Sequence, residues 1–130
     1  MGTNLRVGRE IVVTTPDKLG VLSRIFKSIT DSGVNVEAMC AYAVDGSAHL
    51  RLLTDSNEKA RDALSKAGFD SVEREVTIAE VSPHSIHHDI APFAENIQPG
   101  DHYWCAADHS GEHALLVFSL KESVRLAYFK

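Results

Sequence analysis

Apolar residues recur along this chain in two periods, and each change of period predicts a new element. Residues 10–14, E-I-V-V-T, are rich in β-branched side chains and predict a strand. Pro16 removes a backbone donor and ends it. Between 19 and 31 the apolar positions Leu22, Ile25, Phe26 and Ile29 fall at i, i+3, i+4 and i+7. That spacing is one face of an amphipathic helix, and Gly33 is placed to stop it. A period of two returns at 34–42, where Val34, Val36, Ala38, Cys40 and Tyr42 alternate with Asn35, Glu37 and Met39. This is the pattern of a half-buried strand. Beyond Asp45-Gly46, Ala48, Leu50 and Leu52 form the next apolar face. A two-residue loop would pair Val44 with Ser47 and set the two apolar faces on opposite sides. The alternation therefore predicts a three-residue loop at 44–46, with Ala43 opposite Ser47. Asn57 is placed to cap a second helix at 58–67, with Ala60, Ala63, Leu64 and Ala67 on one face and Gly68 as its stop. Val72, Val76 and Ile78 predict the core face of a fourth strand, interrupted by Arg74.

The order β-α-β-β-α-β predicts an α+β fold, a ferredoxin-like sandwich with two helices on one face of a four-stranded antiparallel sheet. Composition then shifts. Six of the seven histidines fall between His84 and His113. Two segments follow from this: a domain at 9–81 and a histidine-rich C-terminal extension at 82–130, packed on that domain or on a partner subunit. Ser82-Pro83 suits a short helix running through Ile90 and ending before Pro92. The stretch H-Y-W-C-A-A-D-H-S-G-E-H, continuing into H-A-L-L-V-F-S-L, predicts a β-hairpin. Tyr103, Trp104 and Phe118 are its natural anchors.

The bulk numbers narrow the function classes. The chain has 130 residues, 44% hydrophobic and 24% charged, as in an ordinary globular protein. Its net charge of -5 argues against nucleic acid, which needs a basic face. No apolar run approaches the roughly 18 residues of a membrane helix. No apolar signal region opens the sequence, and Cys40 and Cys105 stand in no C-x-x-C spacing. A cytoplasmic location with reduced thiols is expected. No phosphate-binding glycine loop and no G-x-S-x-G elbow is present, so no enzyme and no cofactor are expected.

The candidate chemistry sits at 15–22, T-P-D-K-L-G-V-L. A strand end, a polar-glycine turn and a helix start together form a cradle of backbone N–H groups suited to a small carboxylate. Asp17 also fits a helix cap, Gly20 a packing glycine and Asn35 a turn residue.

Residues 9–81 resemble the ACT domain, the small βαββαβ module that senses amino acids. The resemblance rests on D-K-L-G-V-L at 17–22, S-R-I-F-K-S-I at 23–29, G-V-N-V-E at 33–37 and A-G-F at 67–69. Leu19 stands where the family often has proline. The resemblance implies a regulatory homodimer that binds an amino acid between the first loop of one subunit and the second strand of its partner. Carried onto this sequence, it nominates Asp17, Gly20, Val21, Leu22, Asn35 and Glu37 as ligand-binding residues. Amides near Gly20 would hold an α-carboxylate, and Asp17, Asn35 and Glu37 would accept from an α-ammonium group.

Two other readings stay open. In a short helix after Pro83, His84 and His88 would share a face at i, i+4, and the hairpin would offer His102, Cys105, Asp108, His109 and His113, the ligand types of a metal site. Their spacing matches no zinc signature. Alternatively, the chain is a ligand-free oligomerisation scaffold.

Overall fold

The computed structural model describes residues 4–82, 84, 91, 95, 97–107 and 111–119. Its elements run β1 (Asn4–Pro16), α1 (Val21–Asp31), β2 (Val36–Val44), β3 (Ser47–Thr54), α2 (Asn57–Lys66), β4 (Ser71–Val81), β5 (His102–Ala107) and β6 (Ala114–Ser119). The helix expected after Pro83 lies outside the described residues. The chain forms two compact units, Arg9–Arg74 and Met1–Gly8 with Glu75–Lys130, and the long strands β1 and β4 run through both. The strand order is β2-β3-β1-β4 in the first unit and β1-β4-β6-β5 in the second. Every described pairing is antiparallel.

In the Arg9–Arg74 unit the predicted helix stripe is real. Val21, Ile25 and Ile29 of α1 and Ala60 and Leu64 of α2 are buried against Ile11, Val13, Ala48, Leu50 and Leu52 of the sheet. Each fully buried Leu or Ile side chain contributes about 1.5–3 kcal/mol. The stop at Gly68 is a Schellman motif. Gly68 N donates to Ser65 O at 3.0 Å and Phe69 N to Leu64 O at 2.8 Å, while Leu64 and Phe69 join the core.

Three sequence expectations are corrected. The β2–β3 loop has two residues, not three, with Val44 opposite Ser47 and Ala43 opposite Ala48. Asp45 at φ 50° and Gly46 at φ 80° form the left-handed pair of a type I′ turn, whose twist matches that of the flanking strands. The faces are reconciled by a bulge between Val36 and Ala38. Val36 packs on the helix-facing core, whereas Ala38, Cys40, Tyr42 and Val44 turn to the other face with Leu53, Arg51 and His49. Second, Asn57 is the first residue of α2 rather than its cap; Ser56 holds that position. Third, Val72 is 53% exposed, so the core face of β4 begins only at Val76.

The face of β1 and β3 away from the helices carries a charge pair. Arg51 Nη1 donates to Glu10 Oε2 at 2.8 Å, with both side chains nearly inaccessible. In the second unit β6 lies between β4 and β5, and all of Ala114–Phe118 is buried. A strand covered on both faces reads as an unbroken apolar run. Trp104 is buried as Phe118 is, but Tyr103 is 60% exposed.

Candidate functional site

The β1–α1 loop is fixed by its backbone. Pro16 is the last β1 residue paired with β3, opposite Ser47, and Asp17 N then donates to Gly46 O at 2.8 Å. The loop is thereby tied to the β2–β3 turn. Val21 N donates to Lys18 O at 3.0 Å, and Gly20 has φ 80° and ψ 2°. This is a type II turn, which needs a positive φ at its third residue and so selects glycine. Leu19, the second residue, points fully into solvent. Gly20 is also the N-cap of α1, and Arg24 N donates to Gly20 O at 3.1 Å as the first intrahelical bond. The N–H groups of Leu22 and Ser23 precede that bond and face out of the helix end. No acidic side chain lies in the first turn to meet the positive end of the helix dipole.

The nominated residues divide between two places. Asp17 and Gly20 are exposed on the loop, Val21 is buried and Leu22 is half-buried. Val21 spends its N–H within the turn, so the open amides are those of Leu22 and Ser23; Ser23 was not nominated. Asn35 is exposed, its N–H donating to Asp55 Oδ1 and its carbonyl accepting from Asp55 N, both at 3.0 Å. Glu37 is half-buried at the β2 bulge. The register separates the two groups. Val44, Ser47 and Pro16 lie at one end of the sheet, and Val36 and Thr54 at the other. The length of β2 between them is about 26 Å. One copy of the chain therefore does not bring Asp17 and Asn35 to a common ligand.

No family model matches this chain, and no curated protein matches it in sequence. Solved structures match it in fold. A Bacteroides thetaiotaomicron protein superposes with a TM-score of 0.72 at 16% identity, covering 96% of this chain and 87% of that one. The ligand-free regulatory subunit of aspartate kinase from Thermus thermophilus gives 0.66 at 15% identity, covering 99% and 95%. A C-terminal regulatory domain of aspartate kinase from Porphyromonas gingivalis gives 0.62 at 8% identity, covering 98% and 90%. The fold is ACT-like.

Other features of the ACT-like chain are accounted for by structure. Thr54 Oγ1 donates to Asn57 Oδ1, Asn57 Nδ2 donates to Arg9 O and Glu73 Oε2, and Arg61 reaches Ser71 and Glu73. The Asn57 bond, with Arg9 and Arg61 beside it, holds the Glu73 carboxyl below its ordinary range. An open groove of about 520 Å³ between α1 and α2 is lined by Ser28, Asp31, Lys59, Asp62 and Lys66, and by none of the nominated residues. Among the described residues no three His, Cys, Asp or Glu side chains stand together as a metal site, and no helix is long and apolar enough to cross a membrane. His87, His88, Asp108 and His109 lie outside the described residues.

Proposed function

We propose that this protein is a regulatory binding module without catalytic activity, taking an amino acid or similar zwitterion at a site completed by a second copy of the chain. The observation that carries the reading is the start of α1. A rigid type II turn, pinned to Gly46, presents two open amides with no acidic side chain to answer them. An α-carboxylate fits that end. The named likenesses to regulatory subunits and domains of aspartate kinase point to the same class of role.

The second copy follows from the separation of the nominated residues. β2 is the outer strand of its unit and carries neither lysine nor proline to block its edge. Antiparallel pairing of two β2 edges about Cys40 sets position 36 opposite 44 and 37 opposite 43. The partner's Glu37 then comes beside Ala43 and the partner's Asn35 beside the 45–46 turn. That turn is bonded to Asp17. Acceptors from both copies thus meet next to the open amides, and the whole of 9–81 serves as the binding domain.

A thermal-shift screen over the common amino acids tests this. At least one raises Tm by several degrees, since a ligand at 100 times its Kd adds about 2.7 kcal/mol to the native state. Asp17→Ala with Asn35→Ala removes the shift. A blank screen, or a shift that survives both substitutions, overturns the reading.

A further inference from the structure

On the side of the sheet that carries the helices, the outer strand β2 leaves apolar side chains uncovered. The registers set them in rows. Thr15, Ala48 and Ala43 stand abreast, then Val13, Leu50 and Ala41, then Ile11, Leu52 and Met39. Residues directly opposite one another share a face. The β3 members, Ala48, Leu50 and Leu52, are at most 4% exposed. The β2 members are open: Ala41 and Ala43 are exposed, and Met39 is 37% exposed.

The placing of α1 explains the difference. Arg61 ties α2 to β4 through Ser71 and Glu73, so α1, packed beside α2, takes the β3–β2 side of the sheet. Ser28 of α1 lines the groove shared with α2, and the Arg24 guanidinium lies 5.0 Å over the ring of Phe69, just after α2. At 100° per residue, Leu22 and Phe26 fall on the opposite flank, toward β2. Both are only half-buried against the core. A shelf results, with Ala41 and Ala43 as its floor and Leu22 and Phe26 as its wall.

The shelf begins beside the open amides. Ala43 and Ala48 stand at the end of the sheet where Thr15 and Pro16 lead into the β1–α1 loop. Leu22 itself supplies one of those amides, so the wall of the shelf and the anion cradle meet in one residue. Met39, Ala41 and Ala43 bring no charge and no hydrogen-bonding group to this face. Tyr42, His49 and Arg51 lie on the other face of the sheet, with the Tyr42 and His49 rings stacked 5.0 Å apart.

We infer that the ligand of this site is an amino acid with an apolar side chain, laid on Ala41 and Ala43 while its α-carboxylate meets the start of α1. The side-chain class rests on the reading in the preceding subsection. An apolar chain sheds water from itself and from the shelf together. A polar or charged one gives up its bonds to water there and finds no partner. In the pairing about Cys40, the partner's Met39 stands opposite Ala41 and extends the apolar surface.

Isothermal titration of the full chain with leucine, phenylalanine, alanine, asparagine, aspartate and lysine tests this. The tighter of leucine and phenylalanine binds at least about tenfold more tightly than asparagine, aspartate or lysine. Ala41→Leu fills the floor and lowers the affinity ratio of that ligand to alanine by at least about tenfold, because only the longer chain needs the space. A ratio that does not change puts the side chain elsewhere and overturns the inference. If asparagine, aspartate or lysine is preferred, the apolar class falls while the amino-acid reading stands. If no amino acid gives heat, both fall.

Discussion

The two helices of the Arg9–Arg74 unit begin in opposite ways. At the start of α2 the chain supplies its own polar partners. Asn57 bonds Thr54, Arg9 and Glu73, Arg61 bonds Ser71 and Glu73, and Glu58 sits in the first turn. At the start of α1, among the described residues, no side chain caps the helix: the cap is a glycine, no acid lies in the first turn, and Asp17 and Leu19 stand exposed. Neither helix has a side-chain cap bond to its open amides, but at the start of α2 Glu58 meets the dipole and Asn57 is tied to Arg9 and Glu73. The start of α1, held rigid and without an acid in its first turn, is where the proposed ligand would be received.

Substitutions on the two sides should separate stability from binding. The largest stability loss belongs to the polar contacts the unit makes for itself. Arg51→Ala removes the guanidinium that donates to the buried Glu10 carboxylate and costs about 3–5 kcal/mol in chemical denaturation. A loss below about 1 kcal/mol would mean that the buried pair is not holding β1 to β3. Gly20→Ala is next. Forcing an L side chain to φ 80° costs about 1–2 kcal/mol, and ligand binding is lost with the turn; an unaltered Tm would contradict the type II geometry.

Glu73→Gln is smaller, about 1 kcal/mol at neutral pH, because the side chain is 23% exposed and solvent screens it. Its pH dependence has a definite sign. The folded pKa lies below the ordinary value of 4.5, first through the Asn57 hydrogen bond and then through Arg9 and Arg61. The stabilisation is therefore present above 4.5 and is lost as pH falls through the lower folded value. The gap between wild type and Glu73→Gln should close in acid; a gap that widens there would contradict the assignment. Asp17→Ala changes stability least, by under about 0.5 kcal/mol, yet abolishes the ligand-induced shift. That dissociation of binding from stability would mark the α1 end as the binding end.

Much of this architecture was legible in the residues. The stripe of Ile25 and Ile29, the glycines at 33 and 68 and the order of strands and helices all follow from local periods that the structure keeps. The β2 reading failed because alternation is blind to a bulge. One extra residue at Glu37 moves every later side chain to the other face, and the type I′ turn then fits without strain. Asn57 was misplaced by one position, since its capping oxygen accepts from Thr54 Oγ1 while its amide nitrogen donates to Arg9 and Glu73, residues far away in sequence. The candidate loop was read from sequence, and its completion by a partner's second strand was expected from the resemblance; the register adds that Asp17 and Asn35 stand at opposite ends of the sheet.

That separation gives the most direct measurement. Asp17→Ala and Asn35→Ala chains, each purified alone, should bind no amino acid. Co-expressed, they form mixed dimers in which one site has lost both acceptors and the other is intact, so binding returns at one ligand per mixed dimer. If either variant alone still binds, or if the mixed dimer stays silent, the site is not shared between two copies in this way.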